Sequence, residues 1–196
     1  MDKRTVIDKS STALVCIDLQ KGIVGMPCEP YAAKMVVSNA ARLAEAFRKN
    51  GMPVFLVRVT PSPDGRDALK PTADIAASWN GARLSDWADI VPELGPKDGD
   101  LIVTKRQWGA FYGTELDMQL RRRGVTTIVL CGISTNIGVE STARFAYEYG
   151  YQQIFVEDAS SARSKEEHEH AMRYIFARIG RVRKTEDVMN ALDTDQ

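Results

Sequence analysis

Short, continuous apolar runs constrain the fold of this chain more than any other feature. The first run is Ala13-Leu14-Val15-Cys16-Ile17, and a second extends from Val54 to Val57. A strand that is apolar at every position, rather than at every other one, is buried on both faces of its sheet. Such strands are typical of a parallel sheet covered by helices on both sides. We therefore expect the first strand, which ends at Asp18, to lie in the centre of the sheet.

Strand and helix patterns alternate along the rest of the chain. Four further runs predict strands, at 101–103, 127–131, 153–156 and 180–182. Between them, helical spacing of apolar residues or an N-cap residue marks helices, and Ser164-Lys165-Glu166-Glu167 matches a capping box. This alternation predicts an α/β fold with three layers (α/β/α, Rossmann-like), right-handed crossovers and helices on both faces. A length of 196 residues favours one domain, residues 1–196.

Charge and cysteine content exclude several classes of protein. Lysine and arginine total 26 and so do aspartate and glutamate, so the formal net charge is zero and no basic field attracts nucleic acid or membrane. The run Arg121–Arg123 lies at the end of a predicted helix, where cations complement the helix dipole. The segment Met1–Ser11 lacks the apolar core of a signal peptide, so we expect a cytoplasmic protein. Three cysteines without paired spacing argue against a disulfide framework.

The segment Thr60–Gly99 is the least regular part of the sequence. It contains five of the eight prolines and two of the three tryptophans, Trp79 and Trp87. We expect a partly ordered excursion over the sheet edge that contributes a pocket wall. Leu84 and Ile90, like the two tryptophans, are expected to be buried.

Polar residues follow three of the predicted strands. Asp18 follows the first, Lys105 follows the third, and a turn from Gly132 to Gly138 follows the fourth. An open α/β sheet binds its ligands at this edge, beside a topological switch point. An Asp–Lys pair can be purely structural, but the position at the ends of buried strands favours function. Asp18 would then give or take a proton, and Lys105 would hold the carboxylate and polarise a substrate oxygen.

The turn itself offers two compatible interpretations. Backbone N–H groups at the start of the helix after Thr135 can stabilise a developing oxyanion. Thr135 and Asn136 can also act as simple N-cap residues. The two histidines, His168 and His170, lie on a late predicted helix, and we expect their side chains to be exposed.

Three motifs resemble the isochorismatase-like hydrolase superfamily. They are Val15-Cys16-Ile17-Asp18-Leu19-Gln20, Lys105-Arg106 and the stretch from Cys131 to Arg144, and the likeness spans nearly the whole chain. The resemblance implies a six-stranded parallel sheet and a triad of Asp, Lys and Cys, with Asp18 and Lys105 as the first two members. It also implies a non-proline cis peptide between Ile133 and Ser134, beside the oxyanion site.

The sequence departs from the triad at Gly138, which stands where the cysteine hydrolases of this superfamily place their nucleophile. Glycine cannot attack a carbonyl, so the thioester route of the amidase branches does not fit. Cys131 lies in a predicted strand and is interpreted as a small buried apolar residue. The isochorismatases proper keep glycine and hydrolyse a vinyl ether, with the Asp, here Asp18, as general acid. The turn Ile133–Asn136 is nevertheless closer to the amidase branches.

We therefore predict a hydrolase that acts on a small molecule without a cysteine nucleophile, through vinyl-ether hydrolysis. The alternatives are an amide or carbamoyl hydrolase that activates water directly, and an inactive binding protein. Besides Asp18, Lys105 and Gly138, the candidate substrate-binding residues are Gln20, Trp108, Tyr112 and Asn136.

The last expectations concern metal ions, cofactors and the oligomeric state. The zinc-binding nicotinamidases carry an Asp and His cluster after the first strand, and nothing of that kind follows Asp18, so we predict no metal. The sequence also has no Gly-rich phosphate loop of the dinucleotide or Walker type, and we predict no cofactor. The aromatic segment Trp108–Tyr112 and the excursion Thr60–Gly99 offer much apolar surface for one small domain. We expect a homo-oligomer, a dimer or tetramer, as the resemblance also implies.

Overall fold

The computed structural model describes residues 5–75 and 84–193, and a six-stranded sheet forms its centre. The strands are β1 (Thr12–Ile17), β2 (Val54–Val59), β3 (Leu101–Lys105), β4 (Thr127–Ile133), β5 (Gln152–Ser161) and β6 (Arg181–Arg183). Their order is β3-β2-β1-β4-β5-β6, and every neighbouring pair is parallel. The predictions of an α/β fold and of a central first strand are confirmed.

Helices cover both faces of this sheet. They are α1 (Lys21–Val24), α2 (Ala33–Lys49), α3 (Leu116–Arg122), α4 (Glu140–Glu148), α5 (Lys165–His170), α6 (Ala177–Ile179) and α7 (Thr185–Asp193). Two π-helical turns, Thr135–Val139 and Ala171–Phe176, lead into α4 and α6. Alternate residues of β1 face opposite layers: Leu14 and Cys16 pack with α2 and α7, whereas Val15 and Ile17 pack with α3 and α4. Burial on both sides explains the unbroken apolar run.

The course of the chain creates a switch point between β1 and β4. The chain proceeds outward from β1 through β2 to β3, returns to the other side of β1 as β4, and continues outward to β6. The carboxyl ends of β1 and β4 are consequently adjacent, and Cα partners run from Thr12 with Thr127 to Ile17 with Gly132. Residues that follow these two strands meet at one edge, where parallel sheets bind ligands.

Element boundaries differ from the predictions at several points. Strand β5 is ten residues long, so Glu157 and Asp158 lie within it rather than after it. Helix α2 begins at Ala33, three residues after Pro30. The capping box is confirmed, since the Ser164 hydroxyl accepts from the Glu167 amide at 3.2 Å and the Ser164 amide donates to the Glu167 carboxylate at 3.1 Å.

The excursion between β2 and β3 returns to the end of β1. Its residues 84–99 place Ile90 in the core and contact α1, where the Gly22 amide donates to the Trp87 carbonyl at 2.9 Å. The packing is close enough that a Cβ on Gly22 would lie 2.0 Å from the Trp87 ring. Leu84 is exposed, so the prediction of its burial was wrong. Trp79 lies outside the described residues. Within those residues, no helix is both long and apolar enough to cross a bilayer.

Candidate active site

Asp18 and Lys105 form a buried ion pair at the edge of the sheet. Asp18 follows β1 in a left-handed conformation with φ of 55°, and Lys105 is the last residue of β3. The Lys105 Nζ lies 2.8 Å from the Asp18 Oδ2, and the two residues are 1% and 6% exposed. Because β2 separates β3 from β1, only a long side chain bridges the gap. The Lys105 ammonium also donates to the Trp108 carbonyl, which the sequence did not predict.

Burial sets the protonation of this pair. It raises the pKa of Asp18 from its ordinary value of 3.8 to about 6, although the Lys105 charge and hydrogen bond act in the opposite direction. The sequence left this balance open. The other carboxylate oxygen, Asp18 Oδ1, is buried and accepts no hydrogen bond from the described residues. Asp18 therefore exchanges a proton near pH 6 and has an oxygen available for a substrate or water.

The turn after β4 packs tightly against the end of β1. Gly132 has φ of 132°, and a Cβ there would lie 2.1 Å from the Ile17 carbonyl oxygen, so only glycine fits. The peptide between Ile133 and Ser134 is cis. The π-helical turn Thr135–Val139 follows, and its Val139 amide donates to the Ser134 carbonyl at 3.2 Å.

Gly138 in this turn faces the ion pair. A Cβ built on Gly138 would lie 2.9 Å from the Asp18 Oδ2 and 3.2 Å from the Lys105 Nζ. The structure thus brings together Asp18, Lys105 and Gly138, the three residues selected from separate motifs. The absence of a side chain at position 138 lets the backbone of the turn pack directly against the ion pair.

Thr142 connects the turn with the segment that follows β3, and sequence reasoning missed it. Its buried hydroxyl donates to the Gly138 carbonyl at 2.7 Å and accepts from the Ala110 amide at 3.1 Å. The segment after β3 is therefore hydrogen-bonded to the site at two points: the Trp108 carbonyl accepts from Lys105, and the Ala110 amide donates to Thr142. The signal available in the sequence was a threonine four residues after Gly138, the spacing at which a helical hydroxyl reaches a carbonyl.

The predicted substrate-binding residues have different environments. Trp108 and Tyr112 are 62% and 71% exposed and lie on the segment after β3. Asn136 has a buried Oδ1 without a hydrogen-bond partner in the described chain. The role predicted for Gln20 does not fit, because its amide is committed to the backbone: it accepts from the Val59 amide at 2.8 Å and donates to the Val59 carbonyl at 3.0 Å.

Two predictions about other polar residues were wrong. His168 is buried rather than exposed, and its Nδ1 lies 2.8 Å from the Thr135 hydroxyl. The interpretation of Thr135 and Asn136 as N-caps also fails: Ser134 holds the N-cap position, the Thr135 hydroxyl contacts His168, and the Asn136 carbonyl oxygen has no partner among described residues. The interpretation of Cys131 is confirmed: its buried sulfur lies 3.7 Å from that of Cys16.

The described residues contain no group of three or more His, Cys, Asp or Glu side chains arranged to hold a metal ion. The acidic side chain of the candidate site, Asp18, contacts an ammonium group instead. The chemistry that these residues offer is proton transfer and charge stabilisation.

Comparison with known proteins agrees with this geometry. The isochorismatase domain model matches residues 12–187. The chain is 56% identical to the Bacillus subtilis isochorismatase family protein YwoC, over 93% of this chain and 95% of the relative. It is 52% identical to YecD from Escherichia coli O157:H7, over 95% and 98%. A solved isochorismatase family protein from Burkholderia thailandensis superposes with a TM-score of 0.92 at 47% identity, covering 96% of this chain and 98% of that one.

More distant relatives carry two kinds of name. A "Probable isochorismatase" from Pseudomonas chlororaphis is 31% identical over 93% of this chain and 87% of the relative. A ureidoacrylate amidohydrolase, RutB, from Azorhizobium caulinodans is 31% identical over 76% of this chain and 75% of the relative. The names of these relatives thus include both an isochorismatase and an amidohydrolase.

Proposed function

Because this chain belongs to the isochorismatase family of hydrolases, we propose that it hydrolyses a small vinyl ether of the isochorismate type without a covalent enzyme intermediate. Asp18 is the general acid in this proposal, and Lys105 and the turn after β4 stabilise charge. The observation that carries the proposal is the juxtaposition at Gly138: the position beside the Asp18–Lys105 pair has no side chain and cannot supply a nucleophile.

The proton balance follows from Asp18. The protonated carboxyl transfers its proton to the terminal vinyl carbon, which leaves an oxocarbenium ion and an Asp18 carboxylate. Water then adds to the cationic carbon and returns a proton to Asp18. The resulting hemiketal breaks its C–O bond, so the products are an alcohol and a ketone, which is pyruvate for isochorismate. The Asp18 Oδ1, which has no hydrogen-bond partner among the described residues, is the oxygen that contacts the substrate or the water in this proposal.

The remaining residues position the reactants. Lys105 is held by Asp18 and the Trp108 carbonyl, so its ammonium has a fixed location beside the reacting carboxyl. In this proposal, backbone N–H groups at the start of the turn stabilise negative charge on the substrate. The exposed rings of Trp108 and Tyr112 supply apolar surface, and the unpartnered Asn136 carbonyl oxygen accepts from a substrate O–H or N–H group.

Isochorismate tests this proposal directly. Purified protein should release pyruvate from isochorismate, with kcat/KM falling as the pH rises through about 6, because the general acid must be protonated. Asp18→Asn should abolish release, whereas His170→Asn, an exposed residue outside the site, should not. Iodoacetamide should leave the activity intact. Activity that survives Asp18→Asn, or that is lost on alkylation of Cys131, contradicts the mechanism.

An amide or carbamoyl hydrolase is the second candidate. It is favoured by the amidase-like turn Ile133–Asn136 and by the RutB relatives. In this version the Asp18 carboxylate deprotonates a water molecule, and activity rises with pH through about 6. Ammonia release from a ureido acid, with that opposite pH dependence, would favour it. Specific binding of a small molecule without turnover of either substrate would indicate a binding protein.

A further inference from the structure

A histidine of another helix, His168 of α5, contacts the π-helical turn that contains Gly138. Thr135, the first residue of the turn, is fully buried, and its hydroxyl lies 2.8 Å from the His168 Nδ1. Helix starts are usually fixed by the side chain of the N-cap residue. Here, within the described chain, the N-cap residue Ser134 makes no side-chain cap hydrogen bond. The contact with α5 therefore replaces a local cap.

His168 is held in place independently of Thr135. It is 1% exposed, and its ring packs edge-on against Tyr31 with the centroids 5.7 Å apart. Tyr31 is fixed in turn, because its hydroxyl donates to Glu157 at 3.1 Å and accepts from Lys184 at 2.7 Å. The capping box at Ser164 sets the start of α5. The imidazole is thus a rigid partner for the turn.

Burial favours the neutral form of the His168 ring. Burial lowers the pKa of His168; Glu157 and Glu169 oppose that effect and Lys184 adds to it. The Nε2 atom is buried and has no hydrogen-bond partner among the described residues. A second proton there would lack an acceptor, so neutral imidazole is the stable form. A neutral ring can accept from, or donate to, the Thr135 hydroxyl.

We propose that His168 is a positioning residue: it holds the Thr135 hydroxyl and thereby fixes the turn that sets Gly138 against Asp18. This rests on the proposed function in one respect, that the reacting molecule binds at the Asp18 carboxyl, against which the turn packs. His168 does not touch that molecule. It acts through Thr135, three residues before Gly138, and through the turn amides that donate to the Ser134 carbonyl.

Amide hydrogen exchange tests the proposal without any substrate. Thr135→Val removes the hydroxyl at nearly constant volume, and the amides of Ile137 and Val139 should then exchange about fivefold faster, the factor that corresponds to one neutral hydrogen bond. Thr135→Ser keeps a hydroxyl and should restore slow exchange. His168→Leu should match Thr135→Val, and the double variant should add nothing further. His170→Asn, on the same helix but exposed, is the matched control.

Amides of β1 provide the internal reference, since they exchange by global unfolding. If His168 only stabilises the core, His168→Leu should raise the exchange rates of all amides equally, those of β1 included, and that result would overturn the proposal. Unchanged exchange of the turn amides in Thr135→Val would overturn it as well. If His168→Leu does not fold, the threonine pair decides alone. Should isochorismate be turned over, Thr135→Val should lower kcat about fivefold at constant KM and Thr135→Ser should restore it. Absence of turnover refutes the proposed function but leaves the exchange test valid.

Discussion

Removal of the Lys105 ammonium should change how the stability of the protein depends on pH. The ordinary carboxyl pKa is 3.8, and that of Asp18 in the folded protein is about 6. The folded state therefore binds more protons than the unfolded state between these values. The Asp18 contribution to stability is highest below pH 4 and is lost as the pH rises to about 6. A difference of about two pKa units corresponds to about 3 kcal/mol.

In Lys105→Met this loss should begin at the same pH but continue to higher pH. Two unit charges 2.8 Å apart at an effective dielectric constant of about 20 attract by about 6 kcal/mol, or about four pKa units. Without the ammonium, burial acts on the carboxyl unopposed, and Asp18 should remain protonated beyond pH 8. Both proteins should lose stability between pH 4 and 6, because the folded state of each binds one proton more than its unfolded state there. From pH 6 to 8 the free energy of unfolding of the variant should keep falling, by about 1.4 kcal/mol per pH unit, whereas the Asp18 contribution in the parent no longer changes.

Urea unfolding followed by circular dichroism measures this difference. The free energy of unfolding would be determined at half-unit steps from pH 4 to 8. The double variant Asp18→Asn, Lys105→Met has no titrating group at position 18, and subtraction of its curve isolates Asp18 from all other carboxylates. A difference curve of the parent that does not fall between pH 4 and 6 would refute the assignment of a raised pKa to Asp18 and remove the basis for general acid catalysis. Equal slopes for the parent and Lys105→Met between about pH 6.5 and 8 would refute the effect assigned to the ammonium.

Three further predictions concern other parts of the molecule. Gly138→Cys should place a thiol beside the Lys105 ammonium and near a helix start, and peptide mass spectrometry should find it alkylated by iodoacetamide faster than Cys28; a rate no higher than that of Cys28 would contradict our placement of the site. Gly22→Ala should destabilise the protein by about 1–3 kcal/mol in urea unfolding, because the Trp87 ring occupies the Cβ position, whereas Gly25→Ala, whose nearest atom is 3.4 Å away, should be close to neutral. Light scattering at micromolar concentration should show a dimer or tetramer, and a monomer would contradict the prediction of an oligomer.

The fold was predictable because its signals are local. The apolar runs of β1 and β2 contain no polar interruption, and the capping box at Ser164 is a four-residue pattern. The ion pair was predictable too, because the end of a buried strand determines the sheet edge at which Asp18 and Lys105 are placed. A parallel sheet with its switch point beside β1 then leaves few ways to arrange them.

The errors concern side chains whose environment depends on distant parts of the chain. His168 looks like a surface residue in Lys165-Glu166-Glu167-His168-Glu169-His170, and only packing against Thr135 and Tyr31 reveals its burial. Gln20 follows Asp18 by two residues, yet its amide is taken up by the backbone of Val59. No local pattern contains this information, because the partners lie more than 30 residues away in sequence.

The reversal of the chain between β3 and β4 divides the candidate site between two halves of the sequence. The acidic and basic side chains come from the β1–β3 half, whereas position 138 comes from the β4–β6 half and is occupied by a backbone turn without a side chain. If Gly138 marks the position of a lost or never acquired nucleophile, one codon separates covalent from non-covalent hydrolysis. A lineage with this architecture can then exchange one reaction for another by a single substitution, with the charged pair and the sheet inherited intact.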